Sequence, residues 1–172
     1  MLTISLNTLI WLFPIAFMLH EFEEILFMKP WIKRNVSIIV TRFPFLAPRF
    51  NIFVKGFSTR KFTLIVAEEF IIVTVVTFVS VERCYYNLFA GVLMAYALHQ
   101  LVHLVQFVVY RRYIPAVVTT IITAPYVVYA IFYMLSRGIA QVNQSLMIGL
   151  MAFVVIAVNL AFGHWFVRKI KF

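Results

Sequence analysis

The chain has 172 residues, 64% hydrophobic and 12% charged, about half the charged share of an ordinary soluble domain. Apolar runs long enough to cross a bilayer recur along it, which excludes a soluble globular protein and predicts an all-α, polytopic membrane protein. A net charge of +9 would suit nucleic acid if the basic residues formed one patch, but they are spread over the connections between apolar runs, so no nucleic-acid partner is expected.

In chain order the apolar runs predict five spans, at about 4–28, 62–81, 86–110, 114–135 and 146–167. Each is long enough for a hydrocarbon core of ~30 Å at ~1.5 Å per residue. The first lacks a basic start and a small-residue cleavage site, and is expected to be a true span rather than a leader. It carries His20, Glu21, Glu23 and Glu24 near its end.

The connection 29–61 interleaves Trp31, Phe43, Phe45, Phe50 and Phe53 with eight lysines and arginines and three prolines. Such a segment is expected to lie in the headgroup region, its basic groups on anionic lipid and its rings in the acyl boundary. A lid over a cytoplasm-side site is the sharper reading of the same residues. The second span carries Glu68 and Glu69. A short external turn follows with Glu82, Arg83 and Cys84, the chain's single cysteine, so no internal disulfide can form.

Tyr96, His99, His103, Gln106 and Tyr110 fall within roughly 80° of one another on the third span, at 100° per residue. Arg111 and Arg112 then mark a cytoplasmic turn. The fourth span offers Tyr126, Tyr129 and Tyr133 for packing or an outer belt. The fifth offers Asn159 and His164 before Arg168, Lys169 and Lys171. Thirteen basic residues on one side against two on the other predict an outside N-terminus and a cytoplasmic C-terminus, in a multi-pass protein of the inner (plasma) membrane.

Five of six acidic residues and all four histidines lie inside apolar segments. A charge at the bilayer centre costs ~2.5–3.5 kcal/mol even on a lenient scale. Counted from the nearest basic residue, these groups sit roughly 6–18 Å below the cytoplasmic boundary, so separate helices deliver them to one slab. Carboxylates and imidazoles together suit iron, zinc or manganese. The expected metal ligands are His20, Glu23, Glu24, Glu68, Glu69, His99, His103 and His164. Tyr96, Gln106 and Asn159 are expected to support them by hydrogen bonds. Glu24 is expected as general base on metal-bound water, and His20 as the other catalytic group.

The surplus of ligands favours two divalent ions over one. The bland alternatives are packing histidines and protonated glutamates bonded to backbone.

His20-Glu21-Phe22-Glu23-Glu24 resembles the motif that names the HXXEE family of small prokaryotic membrane proteins. Ala67-Glu68-Glu69 and His99-x-x-x-His103 resemble that family's further motifs. The resemblance implies a multi-span membrane protein with metal-dependent enzymatic activity, and it supplies no reaction. The expected function is thus a membrane-embedded enzyme acting on a lipophilic small molecule, with di-iron oxidation favoured over zinc hydrolysis. The alternatives are a divalent-cation or proton transporter, and a haem- or quinone-binding electron-transfer subunit.

Overall fold

The computed structural model describes residues 4–169, apart from the side chain of Arg168; Lys171 lies outside the described residues. Every regular element there is helical: α1 (Leu6–Arg42), a 3-10 turn (Pro44–Leu46), α2 (Ala47–Gly56), α3 (Thr59–Glu82), α4 (Tyr86–Tyr110), α5 (Val117–Ser136) and α6 (Val142–Lys169). Four of them, α3 to α6, are long and apolar enough to cross a membrane, which points to a membrane protein. The polar run His20–Glu24 sets α1 apart from that group, although α1 packs beside α3 and α5.

Ser5 starts α1 by accepting the Thr8 N–H on its hydroxyl at 3.1 Å, a side-chain N-cap. The helix then continues for 37 residues, ~55 Å. This differs from the expected end near residue 28. Pro30 lies inside the helix, where it forfeits one backbone hydrogen bond.

The extension is held by packing. Ile39 is buried with Tyr110, Ile114 and Val117, and Trp31 and Ile38 pack against that cluster. Trp31 Nε1 donates to the Tyr113 carbonyl at 2.6 Å. Arg42 donates to the carbonyls of Tyr110 at 2.7 Å and Val109 at 3.2 Å, placing a cation on the C-terminal carbonyls of α4. The segment expected as a headgroup-level connection is therefore helical over 29–42 and again in α2.

Paired residues give the directions. Phe13 meets Phe89, His20 meets His99, and Trp31 meets Tyr110, so α1 and α4 run parallel. Gln100 bonds Thr123 and Tyr126 bonds Leu9, so α5 runs against both. Glu68 meets Asn159, while Gly163 approaches Ile65, so α3 and α6 are antiparallel.

One end of the bundle has an apolar core of Leu9, Ile10, Phe13, Phe89, Leu93 and Met134, all within 2% of full burial. Within lipid, such a core is held by close van der Waals packing more than by water exclusion. The most extensive pairing is α4 with α6. Gly91 and Gly149 bring those backbones together: a Cβ on Gly149 would lie 3.0 Å from the Gly91 carbonyl oxygen.

Candidate metal centre

The site is built where α1, α3 and α4 meet beneath the apolar core. On α4, His99 and His103 are one helical turn apart and share a face; their Nε2 atoms are 3.0 Å apart. On α1, His20 and Glu24 have the same spacing. The His20 ring centroid lies 5.5 Å from that of His99 and 5.1 Å from that of His103. One ligand atom from each of the three histidines lies within 4.8 Å of the others. Glu24 Oε1 is 3.4 Å from His103 Nε2.

These donors suit a metal ion. Tetrahedral zinc–nitrogen bonds of ~2.0–2.1 Å place two nitrogens on one ion ~3.4 Å apart. The 3.0 Å between the α4 nitrogens and the limit of 4.8 Å for the whole set fall on either side of that distance. His20 is fully buried, and its Nε2 has no hydrogen-bond partner among the described residues. Its Nδ1 lies 3.5 Å from the hydroxyls of both Thr119 and Thr120. A metal-binding histidine is commonly held this way, with one nitrogen oriented by a neighbour and the other left for the ion. Tyr96 borders the cluster, edge-on to His20 at 5.8 Å and stacked on His99 at 6.3 Å.

The carboxylates divide. Glu24 and Glu69 are electrostatic neighbours, and Glu21 is close to both. Glu21 and Glu24 are buried, and Glu69 Oε1 is buried without a partner among the described residues. No lysine or arginine side chain described pairs with any of the three. Buried carboxylates so arranged must share protons or hold a cation.

Glu23 faces elsewhere. Its oxygens accept from the Tyr113 hydroxyl at 2.7 Å, the Thr119 N–H at 2.7 Å, the Thr119 hydroxyl at 2.6 Å and the Val118 N–H at 3.4 Å. The N-cap residue of α5, Ala116, has φ 87° and no side-chain cap bond. Glu23 supplies that cap from α1, a negative group at a helix N-terminus. Burial, and then the bond to Glu23, hold the Tyr113 hydroxyl above the usual tyrosine range, so Tyr113 stays a donor at neutral pH.

Three expected residues lie apart from the cluster. Glu68 is exposed on α3 and accepts from Asn159 Nδ2 on α6 at 2.8 Å. His164 packs its ring against Phe53 and Phe62, at 5.9 and 6.5 Å. Gln106, by contrast, lies against the His103 side chain, on the wall of a cavity of about 360 Å³ that also reaches His103.

Residues 11–130 match the family model described as "Protein of unknown function with HXXEE motif". The chain belongs to the HXXEE family. No curated protein and no solved structure matches it. The HXXEE match contains the three clustered histidines and Glu21, Glu24 and Glu69, whereas Asn159 and His164 fall beyond it. The motif's own His20, Glu23 and Glu24 serve two places, the cluster and the α5 cap.

Glu21, Thr119, Thr120 and Tyr113 were not among the expected site residues. Glu21 had a readable signal, since it precedes Glu24 by three positions and shares its face. The Thr119-Thr120 pair opening an apolar helix was a weaker one.

Proposed function

We propose that this HXXEE protein is a membrane-embedded, metal-dependent enzyme whose ion is held by His20, His99, His103 and Glu24. The observation that carries this is the convergence of three imidazoles, two buried and one half-buried, and a carboxylate from two helices, with His20 Nε2 lacking a hydrogen-bond partner among the described residues. A second ion would be held by Glu24, Glu69 and Glu21, whose clustered charge a divalent cation would offset.

When bound, iron would supply oxygen activation and zinc Lewis-acid activation of water. The mix of imidazole and carboxylate suits both, and paired ions favour the oxidative reading. The chain's own part is to fix the imidazoles, exclude water and admit substrate. Thr119 and Thr120 orient His20, Tyr96 walls the cluster, and the Phe13–Phe89 layer closes the far side. That dry apolar layer weighs against a transit path for ions or protons.

In this reading α1 is a fifth span, the N-terminus is outside and the C-terminus is cytoplasmic. The distribution of lysine and arginine supports that orientation. The substrate is lipophilic and enters from the inner leaflet, beside the basic and aromatic segment 42–61.

Elemental analysis of protein purified in detergent, without added metal or chelator, tests the reading. Iron or zinc at one to two per chain is expected, and His99→Ala or His103→Ala should abolish it. Metal-free wild-type protein that stays folded would overturn it.

A further inference from the structure

The cavity of about 360 Å³ beside His103 has a shape and polarity that specify an occupant. Met28 and Ile39 both line it. They are eleven residues apart on α1, a rise of ~16 Å. That volume drawn out along that length makes an elongated apolar bore, a shape that an extended hydrocarbon chain fits along its axis. The volume is at the small end of the ~300–1,000 Å³ usual for ligand sites.

The walls are apolar even where the residues are not. Trp31 spends its Nε1–H on the Tyr113 carbonyl, and Tyr110 spends its hydroxyl on Asn35 Oδ1 at 2.8 Å. Neither polar group is therefore free to bond an occupant of the cavity. Phe50 and Phe53 of α2 cover it, with Arg49 and Lys55 of the same helix exposed. Polar lining is confined to one end, at His103 and Gln106. His103 is 8% exposed, and its Nδ1 is buried without a hydrogen-bond partner among the described residues.

We infer that this cavity binds one acyl chain, with the oxygen of its polar end accepting from His103 Nδ1–H and Gln106. The inference deepens the proposed function and rests on its placement of His103 at the metal. It names the substrate class as a single-chain lipid or one chain of a membrane lipid. A ligand oxygen on Nδ1 would leave His103 Nε2 for the ion.

Trp31 in the cavity wall supplies the test. Trp11→Phe and Trp165→Phe leave it as the single tryptophan, and bromine on an aliphatic chain quenches it on contact. In nanodiscs of unbrominated lipid, brominated palmitic acid should quench Trp31 saturably. Met28→Phe, which narrows the bore, should weaken binding at least tenfold. Gln106→Leu should weaken it several-fold and leave metal content unchanged.

If the natural source is a membrane lipid, nanodiscs of chain-brominated phospholipid should quench Trp31 in a way that Met28→Phe relieves. Quenching by either probe that ignores Met28→Phe reports bulk lipid contact and overturns the inference, as does the absence of quenching. Metal is measured on the same samples. Metal without Met28-sensitive quenching sinks the chain site alone, whereas Met28-sensitive quenching in metal-free protein sinks the metal reading alone.

Discussion

Glu23 and Glu24 are neighbours in sequence and diverge by about 100° on the helix. That angle sends one carboxylate to the N-terminus of α5 and the other to His103. Replacing each therefore has a different consequence. Glu23→Ala removes an acceptor for Tyr113, Thr119 and Val118 and leaves part-buried donors unpaired. Hydrogen bonds to a charged group are worth ~1.5–3 kcal/mol, so thermal unfolding in detergent should fall by several degrees while metal content per folded chain is retained. Glu24→Ala should lose metal with a smaller change in unfolding temperature. The reverse pattern would make Glu23 the ligand. The sequence could not separate the two roles, because depth and residue type are the same for both; the position of the α5 N-terminus decides. The three histidines were easier to read, since His99 and His103 share a face and His20 has matching depth.

Helix existence was legible for α3 to α6, because uninterrupted apolar runs bounded by basic or turn residues allow little else in lipid. The continuation of α1 was harder to see. Pro30 and the basic residues around it imply a break, yet Trp31, Asn35, Ile38, Ile39 and Arg42 recur at three- to four-residue spacing and face Tyr110 and Ile114. The α4–α6 crossing was illegible for another reason: Gly91 and Gly149 lie on different helices, and no spacing within one helix reveals their meeting. A Cβ on Gly91 would lie 2.6 Å from Ile148 Cγ2 and 2.9 Å from the Ser145 carbonyl oxygen. Gly91→Ala should therefore push the helices apart and cost ~1–3 kcal/mol, the range for overpacking. Ile148→Gly in the same chain should recover part of that loss, because it removes both Ile148 Cγ2 and Ile148 Cβ, the latter at 2.7 Å, and leaves the backbone contact. A double-mutant cycle on unfolding free energies measures the coupling; additive losses would mean that the two helices do not meet there.

At the scale of the whole molecule, the bundle has two unlike ends. One end gathers α2, the last turns of α1 and the 111–116 turn, which carry Arg42, Arg49, Lys55 and Arg111, together with the cavity beside His103 and the candidate metal centre. The other end holds the short α3–α4 turn, with Arg83 and the exposed Cys84. In the proposed orientation the charge asymmetry would set the first end in the cytoplasm, and the proposed substrate and metal would approach from the inner leaflet. Cys84 is the only cysteine in the chain, and it reports on the opposite end without any engineered change. A membrane-impermeant maleimide should label it in intact spheroplasts to the same extent as in broken membranes. Labelling that appears only after the membrane is broken would invert the protein and move the acyl cavity to the outer leaflet. The imidazole cluster would survive that inversion, because it depends on how α1 and α4 pack. The leaflet supplying the substrate would not, since only orientation fixes it.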